Sequence, residues 1–194
     1  MAHYALVILI LLSLADAVPA AEKYAIDPTR SRIAFRVSHL LGTARGEFRK
    51  FSGTIEVEPS QPERSSVSVK IRVDSIDTKI QKRDEHLLSA AFFDANKFPE
   101  ITFRSRGIRR TGPETGEIIG DLTMHGATRE IVLKVKLTSS RSTASVPNRT
   151  RWLVTTAPLQ RKDFGLAFGS TAEALSGIGQ DVVPTIEIEA VREP

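Results

Sequence analysis

Ser66-Val67-Ser68-Val69-Lys70-Ile71-Arg72-Val73 alternates strictly between polar and β-branched residues, so one face of an extended chain is wet and the other apolar. The same period of two runs on either side of it. Upstream, Ile33, Phe35 and Val37 alternate with Arg32, Ala34 and Arg36; downstream, Ile131, Leu133, Val135 and Leu137 are separated at Lys134 and Lys136. Further strands are predicted over Gly46–Glu58, Ile101–Gly107, Glu117–Met124, Arg151–Leu159 and Val182–Val191, giving about eight in all with Gly- and Pro-rich turns between them. Ser139–Thr150, rich in Ser, Thr and Arg, reads as a loop. Lys82–Ala91 is the one helical segment, with Leu87 and Leu88 on one side and charges on the other.

So many antiparallel strands must pack as a sandwich or close into a barrel to remove their edges. Gly46 and Gly53 inside one long strand favour closure, because glycines within strands mark bulges and barrel corners. The expected fold is therefore all-β: an eight-stranded antiparallel barrel with a short helix between strands.

The chain of 194 residues is long enough for one self-sufficient core. Its start, from Ala5 to Ala15, is an aliphatic run too short to span a bilayer and is followed by small residues. Residues 1–21 are expected to be an export signal cleaved near Ala20 or Ala21, leaving residues 22–194 as the exported barrel domain. The absence of Lys and Arg before this run is unusual for such a signal, and an uncleaved interfacial anchor or a buried strand are its alternatives. Removing it removes one acid, Asp16, and raises the net charge from +4 to +5.

Basic pairs such as Lys82-Arg83 and Arg109-Arg110 lie far apart without interleaved aromatics, so nucleic acid is not an expected partner. The chain has no cysteine, which excludes thiolate metal sites, disulfides and thiol nucleophiles. No two histidines stand at the spacing that converges on a metal, so neither metal nor cofactor is expected. A glycine-x-serine-x-glycine elbow is absent, Asp163-Phe164-Gly165 lacks every other kinase signature, and Gly177-Ile178-Gly179 lacks a strand-to-helix setting. No catalytic residue and no enzymatic activity are expected. His125 is expected to be an ordinary surface residue of a turn, whereas His39 and His86 could meet at a barrel mouth.

All nine phenylalanines lie after residue 21, Phe35, Phe48, Phe51, Phe92, Phe93, Phe103 and Phe164 among them, with Trp152 beside them. Together with alternating positions such as Val69, they could line a cavity for an apolar chain or fill a solid core; periodicity does not separate the two.

Several longer stretches resemble one known family. Tyr24-x-Ile26-Asp27, SRIAFRVSHLLGTARGEFRKFSGTI (31–55), VDSIDTKIQKRDEHLLSAAFFDANKFPEITFRS (73–105), GEIIGDLTMHGATREIVLKV (116–135) and KDFGL (162–166) are similar to the YceI-like proteins, lipocalin-like polyisoprenoid binders of bacteria. The resemblance implies an extended, lipocalin-like eight-stranded antiparallel barrel with an apolar tunnel holding a polyisoprenoid, isoprenoid quinone or fatty-acyl-type lipid, and export to the periplasm without a bound metal. It assigns His39, Arg83, Asp84 and His86 to polar positions near the pocket and Phe92, Phe93 and Phe103 to its aromatic wall. Asp84 has a structural alternative in anchoring a helix terminus, as does Arg83 in pairing with a carboxylate. Trp152 and Pro158 depart from the family pattern: Trp152 could narrow the tunnel, and Pro158 suggests an edge or bulged strand at which a second copy could pair. The long segment Gly169–Asp181 could cover a mouth. The expected partners are thus a long-chain lipid, a membrane in transient contact and a second copy; the rival reading is a stress-related structural or interaction protein with a filled barrel.

Overall fold

The computed structural model describes residues 21–143, 146–167 and 177–194. The export segment therefore lies outside the described residues except for Ala21, as does most of Gly169–Asp181. The strands are β1 (Glu22–Ile26), β2 (Arg32–His39), β3 (Gly42–Phe48), β4 (Phe51–Val57), β5 (Ser66–Arg72), β6 (Ile76–Asp77), β7 (Glu100–Arg110), β8 (Thr115–Met124), β9 (Ala127–Thr143), β10 (Val146–Thr156), β11 (Leu159–Gln160) and β12 (Asp181–Arg192). The helix α1 (Gln81–Leu88) lies between β6 and β7, a residue earlier and shorter than its periodicity predicts.

Every pairing is antiparallel, and the order β1-β4-β5-β7-β8-β9-β10-β12 returns to β1, closing an eight-stranded barrel. More than eight segments make eight staves because four staves are broken, the last of them β10 and β11, which both pair with β12. β12 pairs with β1 at its end and with β2 at its start, so β1 and β2 are one interrupted stave. β3 and β4 form the second, and β5 and β6 the third. The expected single strand Gly46–Glu58 is thus two, interrupted at Arg49-Lys50. There the Arg49 N–H donates to the Ser75 carbonyl at 3.1 Å and the Lys50 carbonyl accepts from Arg72 N–H at 2.9 Å. Val73, expected as the last inward residue of its strand, instead opens the 3₁₀ turn Val73–Ser75, where it is 1% exposed. Glycine permits a close approach beside this corner: a Cβ on Gly46 would sit 2.5 Å from the ring of Phe35, its cross-strand partner.

Ser139–Thr150, expected as a loop, continues the ladder: Thr150 pairs with Ser140 and Arg149 with Arg141. Ser and Thr are compatible with strands, and Pro147 lies inside β10 at a register shift between Val146 and Arg149 rather than ending the pairing. Pro158 lies in the connection between β10 and β11, both of which pair with β12. The edge expected there for a second copy is therefore taken up within the chain, and the ladder's irregularity is instead a bulge between Arg151 and Trp152.

The first broken stave is sealed by charge. Glu189, with its side chain 7% exposed, accepts from Arg151 at 2.6 Å and from Arg149 at 3.1 Å. Its backbone N–H and carbonyl bond to the Ser31 hydroxyl, replacing ladder partners lost at the break. Arg149 also donates to Asp27 at 2.7 Å, and Thr29 donates to the same carboxylate through its hydroxyl and N–H. The Arg149 bond above all, with Thr29 behind it, holds the Asp27 carboxyl down at about 2. A carboxyl with a depressed folded pKa contributes stability above its ordinary value, here 3.8, and loses it as pH falls toward about 2. Urea midpoints taken across that window should show an acid loss of at most about 2 kcal/mol that the Arg149→Met variant lacks. Parallel acid limbs for the two proteins would refute the assignment.

Candidate functional site

Two strands, on different sides of β7 and β8, show that the interior is hollow. In β9 the outward residues Val132, Lys134 and Lys136 are exposed, as alternation requires, yet the inward Ile131, Leu133, Val135 and Leu137 are only half-buried. In β5, Val67, Val69 and Ile71 behave in the same way. Inward aliphatics in a packed core would be almost fully covered; these border a cavity of about 780 Å³, within the usual range for small-molecule sites of about 300–1,000 Å³.

The cavity runs the length of the barrel. At one end it is lined by His39 and by Val182, where β12 begins; at the other by Val57 and Arg110, which end β4 and β7, and by Pro113 of the loop beyond β7. Along β7 alone the lining extends from Ile101 to Arg110, which at about 3.3 Å per residue is about 30 Å of strand, or about 23 Å along the axis at an ordinary tilt near 40°.

Of the expected site residues, Phe35, His39, Phe48, Val69, Phe92, Phe93, Phe103, Trp152 and Phe164 line this cavity. Several of the rings pack on one another: Phe35 on Phe48 at 5.7 Å, Phe48 on Phe93 at 6.4 Å and Phe92 on Phe93 at 5.2 Å between centroids. Trp152 meets Tyr24 edge-on at 5.9 Å, so its ring is held on the wall.

Three expected residues are not brought to the cavity. Phe51, 7% exposed, starts β4 just past the Arg49-Lys50 break and packs into a second cluster with Tyr24, Ile26 and Ala190. The Asp84 carboxylate turns back to accept from the Thr78 N–H at 2.9 Å and the Thr78 hydroxyl at 2.5 Å, which pins the start of α1. His86 is exposed on the outer side of α1 and does not meet His39 at the mouth; the adjacent Leu87, one helical step round, faces the cavity. Arg83 lines the cavity, but its guanidinium donates to the Thr78 hydroxyl and carbonyl at 2.8 and 2.9 Å rather than to a carboxylate.

His125 also departs from expectation. It is half-buried at φ +51°, with Nδ1 3.1 Å from the Phe164 carbonyl and its ring 4.7 Å from that of Phe98. It thereby ties the β8–β9 turn to the 3₁₀ turn that presents Phe164 to the cavity.

The residues that sequence reasoning missed lie at the rims: Thr78 and Ile178 at the His39 mouth, and Glu58, Arg109, Arg110 and Glu114 at the other. They come from turns and strand ends, where alternation carries no signal. The rest of the wall is mainly aliphatic and aromatic, with Arg83, Thr156 and Arg161 among its few polar members. What it offers is burial, worth about 25 cal/mol per Å² of apolar area. Among the described residues no group of three His, Cys, Asp or Glu side chains converges as metal ligands.

Comparison with known proteins agrees with this geometry. Residues 24–190 match the YceI-like domain. The UPF0312 protein of Pseudomonas putida (strain GB-1) is 32% identical over 167 residues, 85% of this chain and 86% of the relative. Among solved structures, BcnA of Burkholderia cenocepacia superposes with a TM-score of 0.76 at 21% identity, covering 86% of this chain and 99% of its own. A polyisoprenoid-binding domain from Saccharophagus degradans, implicated in plant cell wall breakdown, superposes with a TM-score of 0.66 at 18% identity, covering 88% of this chain and 98% of its own. At those identities the two structures carry the fold.

Proposed function

The chain belongs to the YceI-like family, and from that premise we propose that it binds a long-chain apolar lipid, of polyisoprenoid, isoprenoid quinone or fatty-acyl type, in its tunnel and carries or sequesters it in the periplasm. The observation that carries this reading is the hollow wall: a continuous apolar cavity whose inward residues Val69, Leu133 and Val135 are left half-covered. An unfilled apolar interior forfeits contact energy, and a chain threaded through it restores that energy at about 0.8 kcal/mol per buried methylene. A relative of the same fold being a polyisoprenoid-binding domain supports the ligand class. The leader-like segment over residues 1–21 supports export.

Burial without fixed polar partners along the wall makes tunnel length the main selector of ligand, and head-group choice a matter for the rims. No covalent step is proposed for any residue. Organic extraction of the purified full chain followed by mass spectrometry is expected to release a long apolar lipid in near-stoichiometric amount, and pre-treatment with a chelator should leave the yield unchanged. Protein that releases none, and takes none up from lipid vesicles, would overturn the reading.

A further inference from the structure

Leu40 and Leu41 form the two-residue turn between β2 and β3 and are 78% and 90% exposed. Their position is specific. His39, the residue before them, lines the tunnel, and its Nδ1 accepts from the Leu41 N–H at 3.3 Å. Beside the tip, Gly179 N–H donates to the Ser38 carbonyl at 2.8 Å, and the adjacent Ile178 also lines the tunnel. Ile80, the next most exposed large aliphatic at 51%, heads α1, whose Arg83 and Leu87 line the same cavity. The apolar tip therefore stands on the rim of the His39 mouth.

A second observation concerns charge. Arg36 and Arg45 face each other directly in the β2–β3 ladder, both exposed, and neither forms an ion pair among the described residues. Like charges placed opposite one another oppose strand pairing, so this pair gains from an anion brought from outside. Each arginine stands four positions from the nearer leucine, about 13 Å of strand.

We infer that the β2–β3 tip is a bilayer-docking element: Leu40 and Leu41 enter the edge of the acyl layer, and Arg36 and Arg45 meet the phosphates of anionic lipids. Elements seated at an interface reach about 5–10 Å into the headgroup–acyl boundary, which leaves the arginines, on long bending stems, at the phosphate layer. A protein partner fits less well. Stable protein interfaces bury upwards of about 1,000 Å², more than a two-residue tip presents, whereas a bilayer requires only two aliphatic side chains and a cationic belt. Docked this way, the His39 mouth opens onto the membrane, and a lipid tail passes into the tunnel without crossing water. That last step rests on the carrier reading above; docking itself does not.

Flotation of the full chain with vesicles of phosphatidylcholine, and with vesicles that also contain phosphatidylglycerol, tests it. The wild type is expected to float with the anionic vesicles and to be released by salt. Leu40→Ser with Leu41→Ser should weaken binding about tenfold or more. Arg36→Gln with Arg45→Gln should weaken anionic binding about tenfold or more while binding to phosphatidylcholine alone changes little. Leu153→Ser, on the outer barrel wall, should bind as wild type. Wild-type protein that ignores anionic vesicles, or a leucine variant that binds them fully, would overturn the inference. So would sedimentation showing that the leucines hold two copies together. Lipid extracted from a protein that ignores vesicles would sink docking and spare the tunnel; vesicle binding by a protein that never carries lipid would do the reverse.

Discussion

Val69→Trp is expected to empty the tunnel of lipid while the barrel stays folded. Val69 sits mid-stave in β5, pairs with Gly53 on one side and Phe103 on the other, and faces the cavity half-covered. In a filled core, an indole in place of an isopropyl group forces neighbours off their rotamers at about 1–3 kcal/mol or more. Here the added ring projects into space that already exists. The apo-protein should therefore melt within about 1 kcal/mol of wild type, with part of the ring's burial offsetting any strain. A threaded chain has no detour around a blocked section, so the extracted lipid should fall at least about tenfold, the consequence of losing only two methylenes' worth of burial on either side of the block. Lipid yield and denaturant midpoints measured on one preparation decide it. A variant that unfolds points to a packed interior at this stave, and one that carries the wild-type load shows that the lipid does not pass Val69.

The wall of this tunnel was legible in the sequence because period two is a local property. Phe35, Val69, Phe103 and Leu133 need only an extended chain and one dry side to be assigned inward. What alternation does not encode is where a stave breaks. Phe51 keeps inward parity with Ile55 and Val57 and pairs with Ile71, yet beside the Arg49-Lys50 break it is buried in the cluster of Tyr24 and Ala190 instead of lining the cavity. That break depends on Ser75 and Arg72, residues more than twenty positions away. The polar positions failed for a related reason. His39 is fixed by its strand, and its parity held. His86 and Asp84 belong to a two-turn helix, where one step rotates a side chain by about 100° and a single strong acceptor can redirect it. Thr78 supplies the partner that draws Asp84 away. Ser139–Thr150 failed in the opposite sense: its composition is that of a loop, but pairing between β9 and β10, carried on past a register shift between Val146 and Arg149, outweighs weak propensity.

The distinction between wall and core yields the other large effect. Phe51→Ala is expected to destabilise the apo-protein by about 3–5 kcal/mol, because its ring is packed on all sides and the neighbours cannot collapse into the space it leaves. Phe35→Ala should cost noticeably less than that range. Its ring rests on Gly46 and on Phe48 at 5.7 Å but also borders the void, so truncation enlarges an existing cavity instead of creating one. Ligand retention should reverse the order. Losing Phe35 strips apolar area from the surface that contacts the chain, whereas Phe51 makes no such contact, and a Phe51→Ala barrel that remains folded should keep its lipid. Urea midpoints on delipidated protein give the first comparison, and lipid retained after equal exposure to empty vesicles gives the second. If Phe35→Ala loses as much stability as Phe51→Ala, the space inside the barrel is closed in solution and the wall is a core; if Phe51→Ala alone sheds lipid, the second cluster, and not the tunnel, holds the ligand.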